Sequence, residues 1–217
     1  MLRALGEPER RELLRRTRRR RFARNEVLFH EGDPADTLHL LAKGRVSVRA
    51  TTPSGEVATF AVYGAGSVLG ELALVSAPHR RTATVTALEP VETLSLHQVE
   101  FEELRRRHPS VDRFLIELLV EQVQRLHARL LEALFVPAET RVLRRLVDLA
   151  DAYGSGSPAS SPPTVIPLNQ EMLASLAGTS RATTNQVLRA AELAGVVTVG
   201  RSRVEIVDLD ALVRRAR

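Results

Sequence analysis

The stretch LNQEMLASLAGTSRATTNQVLRAAELAG, residues Leu168–Gly195, leaves a folding chain few options. Asn169 is a strong helix N-cap, and Met172, Leu173 and Leu176 follow at helical spacing. Gly178 breaks that helix, and Ser180 caps a second one carrying Val187, Leu188 and Leu193. Two short helices around a glycine turn predict a helix-turn-helix, whose second helix enters the major groove of double-stranded DNA. The exposed start of that helix holds Arg181, Ala182, Thr183, Asn185 and Gln186, with Gln170 at the start of the first. Such side chains suit base edges and phosphates. A plain helical hairpin is the competing reading, and it gives no reason for that set to project from one end.

Two β-branched runs follow, Val196–Val199 and Val204–Val207, separated by Gly200-Arg201-Ser202-Arg203. This pattern predicts a hairpin, and a hairpin directly after a recognition helix is the wing of a winged helix-turn-helix. Arg201 and Arg203 at its tip would reach the phosphate backbone, although either arginine alone reads equally well as solvated. Asp208 can cap a last short helix containing Leu209, Leu212 and Val213.

The N-terminal half alternates short apolar runs with turn signals. Strands are expected at Glu26–His30, Thr37–Ala42, Arg45–Ala50, Ala58–Val62, Thr82–Ala87 and Val91–Leu96. Turns fall at 31–34, 43–44, 53–55 and 63–66, an even spacing that predicts a jelly roll or related β-roll. One loop departs from the plain pattern. Gly66-Ser67-Val68-Leu69-Gly70-Glu71-Leu72-Ala73-Leu74 starts on glycines and enters a helical turn, and Arg80-Arg81-Thr82-Ala83 opens the next strand. Amides at a helix start together with an arginine and a hydroxyl can cradle a phosphate, while Glu71 could accept from a sugar hydroxyl. By spacing alone the signal is moderate, since glycine-rich turns in β-rolls are usually only turns.

Gly32, Gly44, Gly55, Gly66 and Gly70, with Gly70-Glu71-Leu72-Ala73 and Arg81-Thr82-Ala83, resemble the cyclic-nucleotide-binding domain of the cAMP receptor protein/FNR family. Gly178-Thr179-Ser180-Arg181 resembles that family's C-terminal domain, so the likeness covers nearly the whole chain. It implies a transcriptional regulator controlled by cAMP or a related cyclic nucleotide, with no metal and no catalytic role. It implies that Arg81 and Thr82 bind the cyclic phosphate, Glu71 the ribose, and the amides of Leu72 and Ala73 assist. Ser180 and Thr183 would contact DNA phosphates while Arg181 reads a base. RNA polymerase is the implied protein partner. The chain departs from the family at three places. Leu126, followed by His127, stands where cAMP-responsive members place a hydroxyl that reaches the adenine, which leaves weak cAMP response, another nucleotide or ligand independence open. Ala182 and Gln186 replace the family's base-reading glutamate and second arginine, so the half-site should differ. The loop Gly154–Pro163 offers no charged contact to polymerase.

Between the two halves, a helix is expected from Pro109 to Phe135. Val111, Leu115, Leu119, Val123, Leu126, Leu130 and Leu134 recur in steps of three or four, predicting a homodimer through a two-stranded coiled coil. Packing onto the β-roll is the alternative. A two-fold dimer would set two recognition helices against successive major grooves, about 34 Å apart, and so read a palindromic site. Val136-Pro137 then ends the helix and forms a hinge. The expected fold is therefore α+β. An N-terminal helix and β-roll span residues 1–108, a dimerisation helix 109–135, and a winged helix-turn-helix 136–217.

Charge is distributed unhelpfully for a bulk DNA argument. The net +5 is outweighed by residues 1–22, with nine Arg against three Glu, whereas residues 136–217 carry ten Arg against eight acids. DNA binding thus rests on where particular arginines sit. Arg15-Arg16-Thr17-Arg18-Arg19-Arg20-Arg21 reads as a solvated helix face, with a partner contact second. The absence of cysteine excludes disulfides, thiolate metal sites and cysteine nucleophiles. The six His are scattered, with packing or solvent exposure the default for His39 and His97, and no HExxH spacing occurs. No stretch has the apolar length of a membrane helix and Met1 opens on a polar helix, so the expected location is the cytoplasm.

Overall fold

A computed structural model of the protein describes residues 6–75, 77–154 and 163–217. Most of the Gly154–Pro163 loop and the first five residues lie outside that set. The chain divides into two compact units, residues 1–126 and 127–217.

In the first unit, α1 (Glu7–Arg16) starts with Pro8 in its first turn, acids Glu7 and Glu9 near its N-terminus, and Arg15 and Arg16 at its end. That arrangement matches the helix macrodipole. Thr17 ends it in extended conformation. The arginine run is therefore not one helix face: Arg18–Phe22 form strand β1, an edge strand paired antiparallel with β8 (Val91–His97). Arg18–Arg21 stay exposed, and Arg19 and Arg21 both reach Glu92 on β8. Cross-strand ion pairing and a charged edge satisfy β geometry, which helical counting along the run could not reveal.

Strands β2 (Val27–Phe29), β3 (Thr37–Lys43), β4 (Val46–Thr51), β5 (Val57–Tyr63) and β7 (Thr84–Ala87) occupy the expected runs. Short β6 (Val68–Leu69) is an addition. One sheet has the order β1-β8-β3-β6 and the other β2-β7-β4-β5. Strand β7 begins two residues later than expected, because Arg81, Thr82 and Ala83 stand outside the ladder. Alternation along β3 separates two cores. Leu38 and Leu40 join Leu13, Leu96, Phe101, Leu104 and the start of the long helix, whereas Leu41 packs with Phe22, Val46, Val85 and Val91 between the sheets. Helix α2 (Glu71–Val75) follows β6. Helix α3 (Gln98–Arg107), capped by His97, follows β8; it is absent from the sequence expectations.

The long helix α4 runs Pro109–Phe135, as expected. Its apolar stripe has two fates. Val111 and Leu115 are buried, along with Phe114 and Leu118, whereas Val123, Leu126, Leu130 and Leu134 are 49–64% exposed. Packing on the β-roll thus accounts for about the first three turns, through Leu118 and the partly buried Leu119.

The second unit holds the last turns of α4 and α5 (Ala138–Tyr153), β9 (Thr164–Ile166), α6 (Gln170–Ala177), α7 (Arg181–Leu193), β10 (Val197–Gly200), β11 (Arg203–Ile206) and α8 (Leu209–Arg215). Leu146, Leu173, Leu188 and Leu212 are fully buried at its centre. Strands order β10-β11-β9, and Gly200 pairs with Arg203 across a two-residue tip. The junction expected to act as a hinge is bridged. Arg141 donates to the Val136 carbonyl at 2.8 Å, and Glu132 of α4 pairs with Arg144 and Arg145 of α5.

Candidate effector cradle and DNA-reading face

Strand β6 turns into α2 through Gly70, whose φ of +83° is a conformation that favours glycine. A side chain there would also collide with the Arg81 guanidinium and approach the Thr37 carbonyl. Gly70 therefore lets Arg81 lie directly against the turn. Arg81 is 4% exposed, its Nη2 donates to Thr37 Oγ1 at 2.9 Å, and its guanidinium carbon sits 4.1 Å from the centre of the Phe29 ring. Its Nε and Nη1 are buried with no acceptor among the described residues. Burial lowers the pKa of the guanidinium, with Asp36, Asp33 and Glu71 opposing that shift. A cation whose buried donors lack an acceptor is costly, and an anion placed against it recovers that cost. A phosphate fits this donor set.

Glu71 opens α2, 5% exposed. Burial raises its pKa, while Gln122, its own amide, Arg125 and Arg81 oppose that shift. Gln122 Nε2 of α4 donates to Glu71 Oε1 at 2.6 Å, and Arg125 stacks over Tyr63 at 5.9 Å. Gln122 is the residue of α4 that reaches Glu71, and Leu126, expected at the purine-facing position, lies one turn later and is 62% exposed. His127 is exposed and belongs to the second unit. Leu72 is 39% exposed, Ala73 is buried with its carbonyl accepting from His79 Nδ1 at 3.0 Å, and Thr82 is exposed. The structure therefore gathers Gly70, Glu71 and Arg81, and adds Thr37, Phe29 and Gln122, which sequence reasoning missed. No local spacing could have found them. Thr37 lies 44 positions from Arg81 and Gln122 lies 51 from Glu71, so only the tertiary fold joins them.

In the second unit, all three predicted caps form. Asn169 accepts from the Met172 amide at 2.8 Å, Ser180 from the Thr183 amide at 3.1 Å, and Asp208 from the Ala211 amide at 2.8 Å. Gly178 closes α6 in the left-handed conformation, and Arg141 donates to the carbonyls of both Ala177 and Gly178. That arginine, also missed, ties the turn between the two helices to α5. Val187, Leu188 and Ala191 bury one side of α7, leaving Arg181, Ala182 and Gln186 exposed and Thr183 and Asn185 half-buried. The Ser180 and Thr183 hydroxyls lie 2.9 Å apart, engaged with each other at the cap. A groove between the starts of α6 and α7 and the wing brings Gln170, Arg181, Arg201 and Arg203 together. Three guanidinium groups beside a helix start make a strongly anion-attracting surface.

Residues 19–108 match the cyclic nucleotide-binding domain family, and residues 140–215 match the Crp-like helix-turn-helix domain. The chain is 32% identical over 188 residues to the cyclic AMP receptor protein of Thermus thermophilus, covering 87% of this chain and 83% of that protein. The chain belongs to the cAMP receptor protein/FNR family of transcriptional regulators. A CRP-like cAMP-activated global transcriptional regulator of Mycobacterium tuberculosis is 28% identical over 196 residues, 90% of this chain and 87% of that one. A solved CRP-family transcriptional regulator of T. thermophilus superposes with a TM-score of 0.74 at 25% identity, covering 91% of this chain and 96% of the other. The regulator thus joins a cyclic nucleotide-binding β-roll to a DNA-binding winged helix-turn-helix, and it is not an enzyme. Among the described residues no helix is long and apolar enough to cross a membrane, and no group of acids and histidines could hold a metal ion.

Proposed function

We propose that the regulator is a cytoplasmic homodimer that binds a palindromic DNA site under control of a cyclic nucleotide, cAMP or a close relative. The observation that carries this reading is Arg81, with two buried guanidinium donors awaiting an acceptor beside Gly70 and Glu71. A bound cyclic nucleotide supplies a phosphate anion and ribose hydroxyls. Arg81 Nε and Nη1 hold the phosphate, with the Thr82 hydroxyl and the Leu72 and Ala73 amides completing the cradle. Glu71 accepts from the ribose, which requires Gln122 to share or release that carboxylate. Because Gln122 sits on α4, this exchange transmits occupancy of the cradle to the helix, a differential contact of the kind that shifts a two-state equilibrium.

The open stripe of α4 supports self-association. Ile116, Val120, Val123, Leu130 and Leu134 lie exposed at alternating steps of three and four, with His127 filling the remaining position of the seam. An identical helix covers such a face best, and a polar residue within it fixes register. The domain division at 108 and 135, with α4 as the dimerising element, follows from this reading. On DNA, Arg181 reads guanine, Gln186 contacts adenine or phosphate, and Ala182 meets at most a thymine methyl. Gln170, Ser180, Thr183, Asn185, Arg201 and Arg203 hold the backbone. RNA polymerase is the proposed protein partner.

A second reading is ligand-independent binding with a vestigial cradle. Leu126 favours it, since an exposed leucine offers no hydrogen bond to a purine. Calorimetric titration with cAMP and cGMP, with and without a palindromic duplex, separates the two. Heat from either nucleotide that tightens DNA binding supports the first reading, and silence toward both with undiminished DNA binding supports the second.

A further inference from the structure

Beneath the cradle lies a chain of polar groups that neither the ligand nor the DNA reading uses. His39 on β3 is 2% exposed, its ring edge-on to Phe22 at 6.4 Å and tilted on Phe29 at 5.9 Å. Phe29 thus carries His39 against its ring as well as the Arg81 guanidinium. His39 Nε2 lies 3.4 Å from Thr37 Oγ1, and Nδ1 lies 3.2 Å from Thr93 Oγ1. Thr37 Oγ1 is the same atom that accepts from Arg81 Nη2.

One assignment of donors runs consistently through this chain. A guanidinium only donates, so Thr37 Oγ1 must accept from Arg81 and give its own proton elsewhere. His39 Nε2 is the acceptor within reach. With Nε2 accepting that proton, the imidazole hydrogen lies on Nδ1, pointing to Thr93 Oγ1. We infer that neutral His39, in its Nδ1–H form, is a positioning residue for the effector site, turning the Thr37 hydroxyl so that it anchors Arg81 with Nε and Nη1 directed to the ligand phosphate. This deepens the cyclic-nucleotide reading and rests on it.

The surroundings keep the ring neutral. Burial, with Arg81 and then Arg20 of β1 acting on it, lowers the His39 pKa to about 4, and Asp36 opposes them. Its sheet neighbours across β6 and β8, Leu69 and Ser95, bring no further charge. In a protonated ring Nε2 would donate to Thr37 Oγ1 instead of accepting from it, and the hydroxyl would lose the acceptor that turns it.

The test uses full-length protein, cAMP as probe, and three variants: His39→Leu, His39→Gln and Arg81→Ala. Glutamine retains an acceptor and a donor, whereas leucine retains only bulk. Binding is read by calorimetry between about pH 5.5 and 8, above the range where His39 titrates. Nitrogen NMR reads the His39 tautomer and the Arg81 Nε–H resonance without ligand. We expect the Nδ1–H tautomer throughout that range. His39→Leu should shift the Arg81 resonance and weaken cAMP at least about tenfold, the loss of one hydrogen bond to a charged group, while His39→Gln stays within about threefold. If Arg81→Ala abolishes binding yet His39→Leu binds like wild type, the positioning role is refuted and the cradle stands. If wild type and Arg81→Ala both fail to bind cAMP, the cradle reading falls. The tautomer and the Arg81 resonance then decide the positioning claim alone, and an Nε2–H ring or an unshifted resonance overturns it.

Discussion

Replacing Arg81 with alanine should separate ligand recognition from folding, for reasons visible in how its donors are distributed. Two of its nitrogens, Nε and Nη1, are buried without a partner among the described residues. Hydrogen bonds to charged groups contribute about 1.5–3 kcal/mol each, so losing both from a bound phosphate costs about 3–6 kcal/mol. That corresponds to roughly two to four orders of magnitude in Kd. The fold loses much less. Arg81→Ala forfeits the Thr37 bond, about 1.5–3 kcal/mol, and the Phe29 stacking, about 1 kcal/mol, but it also removes a guanidinium held against desolvation. The two effects oppose, so Tm should move by less than about 4 °C. Calorimetry with cAMP and a thermal melt on the same sample read both quantities. The reasoning is refuted if Arg81→Ala binds cAMP within about threefold of wild type, or if it unfolds outright.

Four further outcomes follow. Gly70→Ala should lower nucleotide affinity at least about tenfold by pushing Arg81 from the turn and straining a positive φ, measured by the same calorimetry. The double variant Leu130→Asp, Leu134→Asp should sediment as a monomer, since both side chains are exposed on the proposed dimer face and charges there would repel across its two-fold axis. Arg181→Ala should lose about 1–3 kcal/mol on a specific duplex and much less on random DNA; equal losses by fluorescence anisotropy would mean that it contacts only phosphate. The His39 pKa gives a pH signature. Its folded value of about 4 lies below the ordinary 6.5, so the unfolded chain binds the proton first as pH falls. Stability is therefore full above about pH 6.5 and declines by about 3 kcal/mol toward pH 4, a slope that His39→Leu should flatten in denaturant melts.

How much the sequence discloses depends on how local the responsible physics is. Helix caps are local, and Asn169, Ser180 and Asp208 each satisfy the amide expected of them. Strand alternation is nearly local, and β3, β4, β5 and β8 fall within a residue or so of their apolar runs. The arginine run misleads because β1 is held by Glu92, some 70 positions away, rather than by its own periodicity. Half of the cradle is legible, since Gly70, Glu71 and Arg81 are near in sequence. The other half is not, because Thr37, Phe29, His39 and Gln122 reach it only through strand pairing and helix packing. The Val136-Pro137 junction shows the same limit. Proline ends α4 as expected, yet three arginines of α5 lash the last turns of α4 to the DNA-binding unit.

The most direct test of the account is a fluorescence anisotropy titration of a labelled palindromic duplex, and of its single half-site, with full-length protein in the presence and absence of cAMP. The account predicts two protein chains per palindrome, weaker binding to the half-site, and affinity for the palindrome that rises with cAMP in wild type but not in Arg81→Ala. Equal affinity for both duplexes, unmoved by the nucleotide, would contradict it.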